Sequence, residues 1–204
     1  MPASVLYMSM SLDGFTTGPD DNLDQPLGRD GERLHRWLAS GGESVGEFRP
    51  SDPSAEVFDE LMDIGAVVVG RRTFDLARRW NGDHHGVPIF VPTHEAPDDH
   101  AVHGPWVSYV TDGIVSTMAQ SKAAAGDRNV LVHGAETAQR CLTAGILDEL
   151  EIHLVPVLLG HGRRLFDELG ARHIELDLTR IIDAPGVTHL RYRVQPTELN
   201  EETQ

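Results

Sequence analysis

Two glycine turns, each between an apolar stretch and the start of a helix, are the segments of this chain best suited to chemistry. In the first, VVVGRRTFD at 67–75, a buried strand runs into Gly70 and a helix then begins with two arginines. The free N–H groups at a helix start carry partial positive charge and bind anions. Arg71 can donate paired hydrogen bonds to a phosphate, and the Thr73 hydroxyl can complete the cage. The segment therefore predicts a phosphate site, although a solvated basic helix start has the same pattern.

The second turn, HGAET at 133–137, also follows an apolar strand and opens a helix. A diphosphate can approach helix N–H groups only where the turn has no bulky side chain, and Gly134 with Ala135 meets that need. Alone, this turn is a common strand-to-helix connection. Two such turns fit a ligand with more than one phosphate, such as a dinucleotide, bound at the carboxyl ends of the strands. Thr93, at the end of a further apolar strand, can donate a third contact.

A serine motif and a group of histidines indicate two other chemistries, and both fit the sequence poorly. The GESVG segment at 42–46 matches the G-x-S-x-G elbow of hydrolases, with Ser44 as the nucleophile. That elbow needs a strand before the serine and a helix after it, whereas here a predicted helix precedes it. Five of the eleven histidines lie between 84 and 103. Without an H-E-x-x-H motif or a nearby cysteine they offer no template for zinc, so no metal site is predicted.

The composition limits the size of the fold and the kinds of partner. With 204 residues, 40% of them hydrophobic, the chain can build one well-packed domain. A formal net charge of -15 opposes binding to nucleic-acid phosphates, so a small molecule is the expected ligand. No stretch has the roughly 20 apolar residues of a membrane span, and the N-terminus lacks a basic secretion signal, which predicts a soluble cytoplasmic protein. The single cysteine, Cys141, fits the core of an amphipathic helix.

Apolar strands alternate with helices over the first two thirds of the chain. Strands are predicted at 5–10, 66–69, 89–91, 106–110, 130–132 and 147–159, and helices at 32–39, 54–62, 112–125 and 135–144. Ser54 and Asp112 are expected to cap two of these helices. Two further strand-like runs, 173–183 and 187–194, flank a Pro185-Gly186 turn. The pattern indicates an α/β fold whose mixed, mainly parallel sheet is covered by helices and extended by a C-terminal antiparallel hairpin.

Two segments fall outside this regular pattern. Residues 13–29 are rich in Gly, Pro, Asp and Asn, and so long a loop inside a domain is uncommon unless it covers a site. We therefore expect it to act as a lid. From 196 to 204 the chain is polar and acidic without periodicity, which predicts a disordered tail after a single domain of residues 1–195.

Four segments together resemble the dihydrofolate reductase-like family, and in particular the branch of the riboflavin-biosynthesis reductase domain and its stand-alone relatives. They are VLYMSMSLDGF at 5–15, GRRTFD at 70–75, VPTH at 91–94, and 129–166. The resemblance implies a three-layer fold with a mixed sheet of about eight strands. It also implies an oxidoreductase that transfers a hydride from NADPH to a pterin or an aminopyrimidine. In the riboflavin branch, the long strand at 147–159 supports a homodimer.

The resemblance also assigns contacts to the cofactor, by position in the family's motifs. The residues implied at the adenosine-side phosphates are Gly70, Arg71 and Thr73, with Arg71 and Thr93 favouring the 2′-phosphate of NADPH. Those implied at the diphosphate are Gly134, Ala135, Glu136 and Thr137. Those implied beside the nicotinamide ring are Ser11, Asp13 and Thr17.

Two departures from the family pattern affect the expected activity. Ala135 replaces the second glycine of a turn that often contains a cis peptide, and that peptide costs roughly 2.5–4 kcal/mol before a non-proline residue, so a trans turn with weaker binding stays open. Leu34 stands where the folate branch has the acid that holds its pterin, so dihydrofolate itself is not the expected substrate. The proton donor is left open between a bound water and a side chain, with Asp13 and His35 as candidates.

A second function is compatible with the same residues. A nucleotide-binding or sensor protein that has lost turnover would keep every phosphate contact of an NADPH-dependent reductase. The two hypotheses differ in one observation, because a sensor binds NADPH without oxidising it in the presence of pterins, pyrimidines, quinones or carbonyl compounds.

Overall fold

The computed structural model describes residues 2–38, 47–98, 104–167, 169–170 and 173–196. Within these ranges the strands are β1 (Ser4–Ser11), β2 (Phe15–Thr17), β3 (Ala66–Val69), β4 (Ile89–Pro92), β5 (Val107–Val110), β6 (Val130–His133), β7 (Glu149–Val155), β8 (Arg163–Arg164), β9 (Leu176–Ala184) and β10 (Val187–Val194). The α-helices are α1 (Ser54–Met62), α2 (Arg71–Leu76), α3 (Ile114–Ala125) and α4 (Ala135–Thr143). The 3₁₀ helices are Gly31–Leu38 and Arg78–Gly82.

Eight of these strands form one sheet in the order β5-β4-β3-β6-β1-β7-β10-β9. Neighbouring strands from β5 to β7 pair in parallel, whereas β10 is antiparallel to both β7 and β9. The short strands β2 and β8 pair with each other outside this sheet. The α/β class, the mainly parallel sheet and the C-terminal hairpin are therefore confirmed.

Helices cover both faces of the sheet because successive residues of each buried strand point to opposite sides. On one face, Val67 and Val69 of β3 share an apolar core with Phe74 of α2. On the other face, Val68 packs in a core with Cys141 of α4. The predicted core position of Cys141 is confirmed, since the residue is fully buried and its burial raises the pKa of the thiol to about 12. Burying each large apolar side chain stabilises the fold by roughly 1.5–3 kcal/mol.

Both predicted helix caps are wrong. Pro53 precedes α1, and the Ser54 hydroxyl lies 2.9 Å from His189 Nε2 instead of capping the helix. Helix α3 begins after Gly113, whose φ of +88° suits glycine, and no side chain caps it, so Asp112 does not have the expected role. In both cases a neighbouring proline or glycine sets the backbone at the helix start.

The strand predicted at 147–159 is shorter in the structure and ends at Val155. The next residue is Pro156, which has no N–H group to continue the pairing with β1. The predicted helix at 32–39 takes the tighter 3₁₀ form over Gly31–Leu38. Both elements are in the predicted places, and only their extent or type differs.

Two other predictions fall on parts of the chain outside the described residues. They are the GESVG segment with Ser44 and residues 197–204 of the predicted tail. In the described part of the chain, every helix is too short or too polar to cross a membrane.

Candidate functional site

The two glycine turns lie side by side at the carboxyl ends of neighbouring strands. Strands β3 and β6 pair in parallel up to Val69 and His133, so Gly70 and Gly134 follow at the same edge of the sheet. A Cβ atom built on Gly70 would lie 2.6 Å from Thr137 Oγ1, and one built on Gly134 would lie 2.7 Å from Thr73 Oγ1. Each glycine therefore makes room for the threonine of the opposite turn. The sequence predicted glycine for the approach of a ligand, whereas the close approach of the two turns to each other already requires it.

Neither of these helix starts is closed by a side chain. Gly70 and Gly134 occupy the position before α2 and α4, and neither helix has a side-chain cap. The Thr73 and Thr137 hydroxyls have no hydrogen-bond partner among the described residues. The Gly134–Ala135 peptide is trans, since the cis bond in the described ranges is Asp52–Pro53. Two sets of unsatisfied N–H groups, with two free hydroxyls, thus converge on one place.

A cleft of about 710 Å³ opens over this junction. It is lined by the two turns and by residues of β1, of the 13–29 loop and of β8. The loop was predicted as a lid; in the structure, its residues Phe15, Asp21 and Leu27 line the cleft, and its action as a lid stays a prediction. The predicted cofactor contacts that the structure brings together here are Thr17, Gly70, Thr73, Gly134, Ala135, Glu136 and Thr137.

The arginine that faces the cleft is Arg72 and not the predicted Arg71. Arg71 Nε donates a 2.7 Å hydrogen bond to Asp75, and its guanidinium lies 5.5 Å from the centre of the Tyr109 ring. Arg72 lines the cleft, where its Nη2 lies 3.0 Å from Asp21 Oδ2. The sequence could not show which of the two arginines faces the cleft. Neighbouring residues at a helix start point in different directions, and the pattern does not fix the rotation of the helix.

Asp21 joins two arginines from separate elements that line the cleft. Besides Arg72, its Oδ2 accepts a 2.9 Å hydrogen bond from Arg163 Nε of β8. Burial opposes ionisation of Asp21, but the hydrogen bonds from Arg163 and Arg72 outweigh it and lower the pKa of the carboxyl. The side chain is only 9% exposed. None of these three residues was identified from the sequence, because no local motif marks a contact between a loop, a helix start and a distant strand.

Ser11 and Asp13 form a structural turn beside the cleft. The Ser11 hydroxyl donates to Asp13 Oδ1 at 2.6 Å, and the backbone N–H groups of Leu159 and Gly160 also donate to this carboxylate. The bond from Ser11 is the main reason that the pKa of Asp13 falls to about 2. Neither residue lines the cleft. Asp13 is thus ionised and fully engaged, which leaves it no proton to donate near neutral pH.

Thr93 directly follows β4, which pairs with β3, so it lies beside the Gly70 turn but one strand away from the Gly134 turn. Its hydroxyl donates to the Glu95 carbonyl at 2.9 Å, and its N–H donates to the Val110 carbonyl at 3.0 Å. It does not line the cleft. Strand β4 lies two places from β6 in the sheet, so Thr93 and the Gly134 turn are separated by the full width of β3.

Two histidines and a threonine present polar groups on the side of the cleft next to β1. His35 and His133 both line it, and His133 Nδ1 lies 3.2 Å from the Tyr7 carbonyl. Burial lowers the pKa of His35 to about 4, with a further contribution from His133, and burial also lowers the pKa of His133. The Thr17 hydroxyl is buried and has no partner in the described part of the chain. His133 was not predicted, although its place at a strand end was a usable signal.

The histidines between 84 and 103 do not form a metal site within the described residues. There, no group of three or more His, Cys, Asp or Glu side chains is placed to hold an ion. Instead, the rings of two of these histidines pack against other rings. The His84 and Trp80 ring centres are 4.5 Å apart, and so are the His84 and His85 ring centres. His100 and His103 lie outside the described residues.

The fold and the cleft define a protein of the dihydrofolate reductase-like class. A model of the RibD C-terminal domain family matches residues 2–190, so the chain belongs to this family. Among curated proteins it is 23% identical over 204 residues to the uncharacterized protein YyaP of Bacillus subtilis, covering 92% of this chain and 93% of that one. It is 27% identical over 173 residues to the uncharacterized protein YwjB of the same organism, covering 81% and 83%.

Solved structures have the same fold at low sequence identity. A protein of Shewanella sp. PV-4, provisionally assigned to riboflavin biosynthesis, superposes with a TM-score of 0.69 at 22% identity, covering 95% of this chain and 99% of its own. A pyrimidine reductase-like protein of Corynebacterium diphtheriae gives 0.59 at 14% identity, with 95% and 92% covered. The yeast riboflavin biosynthesis reductase Rib7 gives 0.57 at 14% identity, with 95% and 90% covered.

Proposed function

We propose that this protein is an NADPH-dependent reductase that transfers a hydride to a small heterocyclic substrate. The observation that carries the proposal is the meeting of two uncapped helix starts, at Gly70 and Gly134, on the floor of one cleft. Their N–H groups and the free hydroxyls of Thr73 and Thr137 suit the oxygens of a diphosphate. A dinucleotide has two linked phosphates and fits a cleft of this size.

The charges around the cleft support the same ligand. The chain has a formal net charge of -15, so an anion can bind only where cations are concentrated. Arg72 and Arg163 both line the cleft and provide this positive charge. Both now contact Asp21, and a phosphate group of the cofactor would compete with this carboxylate for Arg72. The unpartnered Thr17 hydroxyl offers a further donor on the β1 side.

The substrate class rests on the relatives and on the walls of the cleft. One structural neighbour is described as pyrimidine reductase-like and another as a riboflavin biosynthesis reductase. When bound, the nicotinamide ring of NADPH supplies the hydride. The residues of this chain bind the phosphates and orient the two rings. Met8, Phe15 and Leu27 line the cleft with apolar surface, which excludes water from the reacting atoms.

A calorimetric titration with NADPH tests this proposal, with two threonine variants of the same helix. The wild-type chain should bind one NADPH with a dissociation constant in the range of about 1 μM to 1 mM. Thr137→Val should weaken binding roughly tenfold, because a hydrogen bond to a charged phosphate oxygen is lost. Thr143→Val, at the exposed C-terminal end of α4, should leave the affinity unchanged and serves as the matched control.

Turnover is measured next with pterins, pyrimidines, quinones and carbonyl compounds. Loss of reduced-nicotinamide absorbance with a pyrimidine-type ring would support the reductase. Tight NADPH binding without oxidation of any compound would favour the sensor hypothesis. Failure of the wild-type chain to bind NADPH, or equal effects of the Thr137 and Thr143 variants, would contradict the proposed cofactor site.

A further inference from the structure

A carboxylate of the protein itself binds the two arginines that an anion in the cleft would meet. Oδ2 of Asp21 lies 3.0 Å from Arg72 Nη2 and accepts a 2.9 Å hydrogen bond from Arg163 Nε. Arg72 Nη2 also donates a 2.9 Å hydrogen bond to the Asp21 backbone carbonyl. Arginine binds the oxygens of a carboxylate and those of a phosphate with the same donor groups. Asp21 and a phosphate in this cleft therefore compete for one guanidinium.

The contact is open to a ligand from the arginine side. The side chains of Arg72 and Arg163 are half-exposed, whereas the Asp21 side chain is mostly buried. Burial opposes ionisation of Asp21, but the hydrogen bonds from both arginines keep its pKa below the ordinary value, so the carboxylate is charged near neutral pH. A neutral ligand offers the guanidinium groups weaker hydrogen bonds than this carboxylate does. An anion is therefore the class of ligand that can displace it.

The competing carboxylate stands on a loop whose two ends are fastened to each other. The Gly18 N–H donates to the Leu27 carbonyl at 2.8 Å, and the Arg29 N–H donates to the Pro19 carbonyl at 2.9 Å. A Cβ atom built on Gly18 would lie 1.8 Å from the Arg29 carbonyl oxygen, so only glycine allows this close approach. Residues 19–27 thus form a compact loop that is closed at its base.

Hydrogen bonds attach this loop to the neighbouring elements through Asp21. In the described ranges, Asp21 makes every hydrogen bond that joins residues 19–25 to a helix or strand outside the loop. The neighbouring residue Asp20 pairs instead with Arg29 at the base of the loop, and its side chain is exposed. Loss of either arginine as a partner of Asp21 would therefore leave the loop attached through the other arginine alone.

We propose that Asp21 is a built-in competitor for an anion in this cleft, and that binding of the anion to Arg72 loosens the loop of residues 19–27. Such coupling is reciprocal, so a contact that the anion weakens must itself weaken anion binding by the same factor. The arginine is fully available to an anion only when the loop gives up one of its two anchors. This inference goes beyond the proposed function, since it requires a phosphate-type anion in the cleft but neither a nicotinamide nor a reaction.

Calorimetric titration with inorganic pyrophosphate tests the competition. Asp21→Asn should bind pyrophosphate roughly tenfold more tightly than the wild type, because the carboxylate no longer occupies Arg72. Asp20→Asn is the matched control, since it removes the same charge from the neighbouring residue, and it should change the affinity by less than about twofold. Asp21→Ala should show the same gain as Asp21→Asn, because the gain comes from the lost carboxylate and not from the new amide group.

Hydrogen exchange of residues 19–27, measured by mass spectrometry, tests the coupling to the loop. Saturating pyrophosphate should speed the exchange of these backbone amides in the wild type and in Asp20→Asn, since one anchor of the loop is lost. In Asp21→Asn the exchange should already be fast without pyrophosphate. Addition of pyrophosphate to this variant should not speed it further.

The outcomes separate this inference from the proposed function. Equal pyrophosphate affinities of Asp21→Asn and Asp20→Asn, or a gain that Asp21→Ala lacks, would overturn the competition. Wild-type exchange that pyrophosphate leaves unchanged would overturn the coupling, and absence of pyrophosphate binding in all four chains would overturn both. The expected gain of Asp21→Asn for pyrophosphate, in a chain that does not bind NADPH, would support this inference and contradict the proposed function.

Discussion

Arg71 and Arg72 are neighbours in the chain, yet their side chains leave the start of α2 in different directions. Arg71 is held on the outer side of the helix by Asp75 and the Tyr109 ring. Arg72 lies in the cleft, where it contacts Asp21. A cofactor phosphate on the Gly70 and Gly134 turns would therefore meet Arg72. At the scale of single residues, the proposed specificity for a phosphorylated cofactor depends on this side chain.

We expect Arg72→Gln to weaken NADPH binding by roughly tenfold, because a charge-assisted hydrogen bond to phosphate is lost. Arg71→Gln removes the same charge from the neighbouring residue. It should change the affinity by less than about twofold, because only a long-range attraction that salt screens is lost. Fluorescence titration of both variants measures the difference. A larger loss for Arg71→Gln than for Arg72→Gln would show that the cofactor approaches the helix from the other side.

Seven predicted residues lie in one cleft: Gly70, Thr73, Gly134 and Ala135 were predicted from strand ends, whereas Thr17, Glu136 and Thr137 were implied by the family resemblance. Gly70 and Gly134 follow apolar strands, and the carboxyl ends of parallel neighbours meet at one edge of a sheet. Arg72, Asp21 and Arg163 could not be found in this way. Their contacts depend on the rotation of a helix and on a loop that crosses the cleft, and neither leaves a periodic signal in the sequence.

At the scale of secondary-structure elements, a row of charged residues crosses strands β7, β10 and β9 and anchors α1. Glu151 of β7 pairs with Arg191 of β10, which in turn pairs with Arg180 of β9. Glu60 of α1 completes the cluster, with hydrogen bonds of 2.8 Å from Arg180 and 2.6 Å from Arg191. Glu151 is fully buried, and its Oε1 has no partner in the described residues. Burial raises the pKa of this carboxyl, and the two arginines offset only part of the rise.

The stability of Glu151→Gln relative to the wild type should therefore increase as the pH rises. A raised pKa means that the folded state favours protonated Glu151, so this carboxyl contributes stability below its ordinary pKa of 4.5 and loses that contribution as the pH rises through the folded value. Glutamine does not titrate. Urea unfolding from pH 4.5 towards neutral should show a growing advantage for the variant, and a shrinking one would contradict the argument.

Arg180→Met tests the same cluster by removing its cation instead of its buried carboxyl group. It leaves Glu60 and Glu151 without their shared cation, and breaking a buried ion pair costs about 3–5 kcal/mol. Glu149→Gln removes a carboxylate that contacts Arg191 at the partly exposed end of the cluster and reports the general effect of losing one negative charge. A loss for Arg180→Met as small as that for Glu149→Gln would show that the buried cluster does not anchor α1.

Element positions were more predictable than element ends. Every strand of the large sheet coincides with an apolar run or with the predicted hairpin, because burial between two layers of helices demands such runs. The two helix caps at Ser54 and Asp112 were wrong, since cap residues also serve turns and long-range contacts. The small sheet formed by β2 and β8 was not predicted, because two or three residues are too few to show a period.

At the scale of the whole molecule, the edge of the sheet carries an exposed apolar row. Leu178 and Ile181 of β9 pair with Tyr192 and Leu190 of β10, so the four side chains share one face of the sheet. Leu178 is 51% exposed and Ile181 is 57% exposed. Exposed apolar rows of this kind mark protein contacts, and an open edge strand can pair with another chain. The strand expected to support a homodimer, β7, lies inside the sheet between β1 and β10, so we propose that a second copy of this chain covers the β9 face instead.

Sedimentation velocity tests this proposal. The wild-type chain should sediment as a dimer, and Ile181→Glu should shift it to a monomer, because a buried unpaired carboxylate opposes association. Val115→Glu is the control, since Val115 is 59% exposed on α3, which packs against β3 and β4 at the other side of the sheet. A wild-type monomer, or a dimer that persists in Ile181→Glu, would show that this row is not the interface.

The central claim is that the Gly70 and Gly134 turns together bind the phosphates of one nicotinamide dinucleotide. A crystal structure of the chain grown with saturating NADPH tests it most directly. We expect the diphosphate between the Thr73 and Thr137 hydroxyls, a phosphate group on Arg72, and the nicotinamide ring beside Met8 and His35. Density for the dinucleotide elsewhere on the molecule, or a cleft left empty at saturation, would contradict the claim.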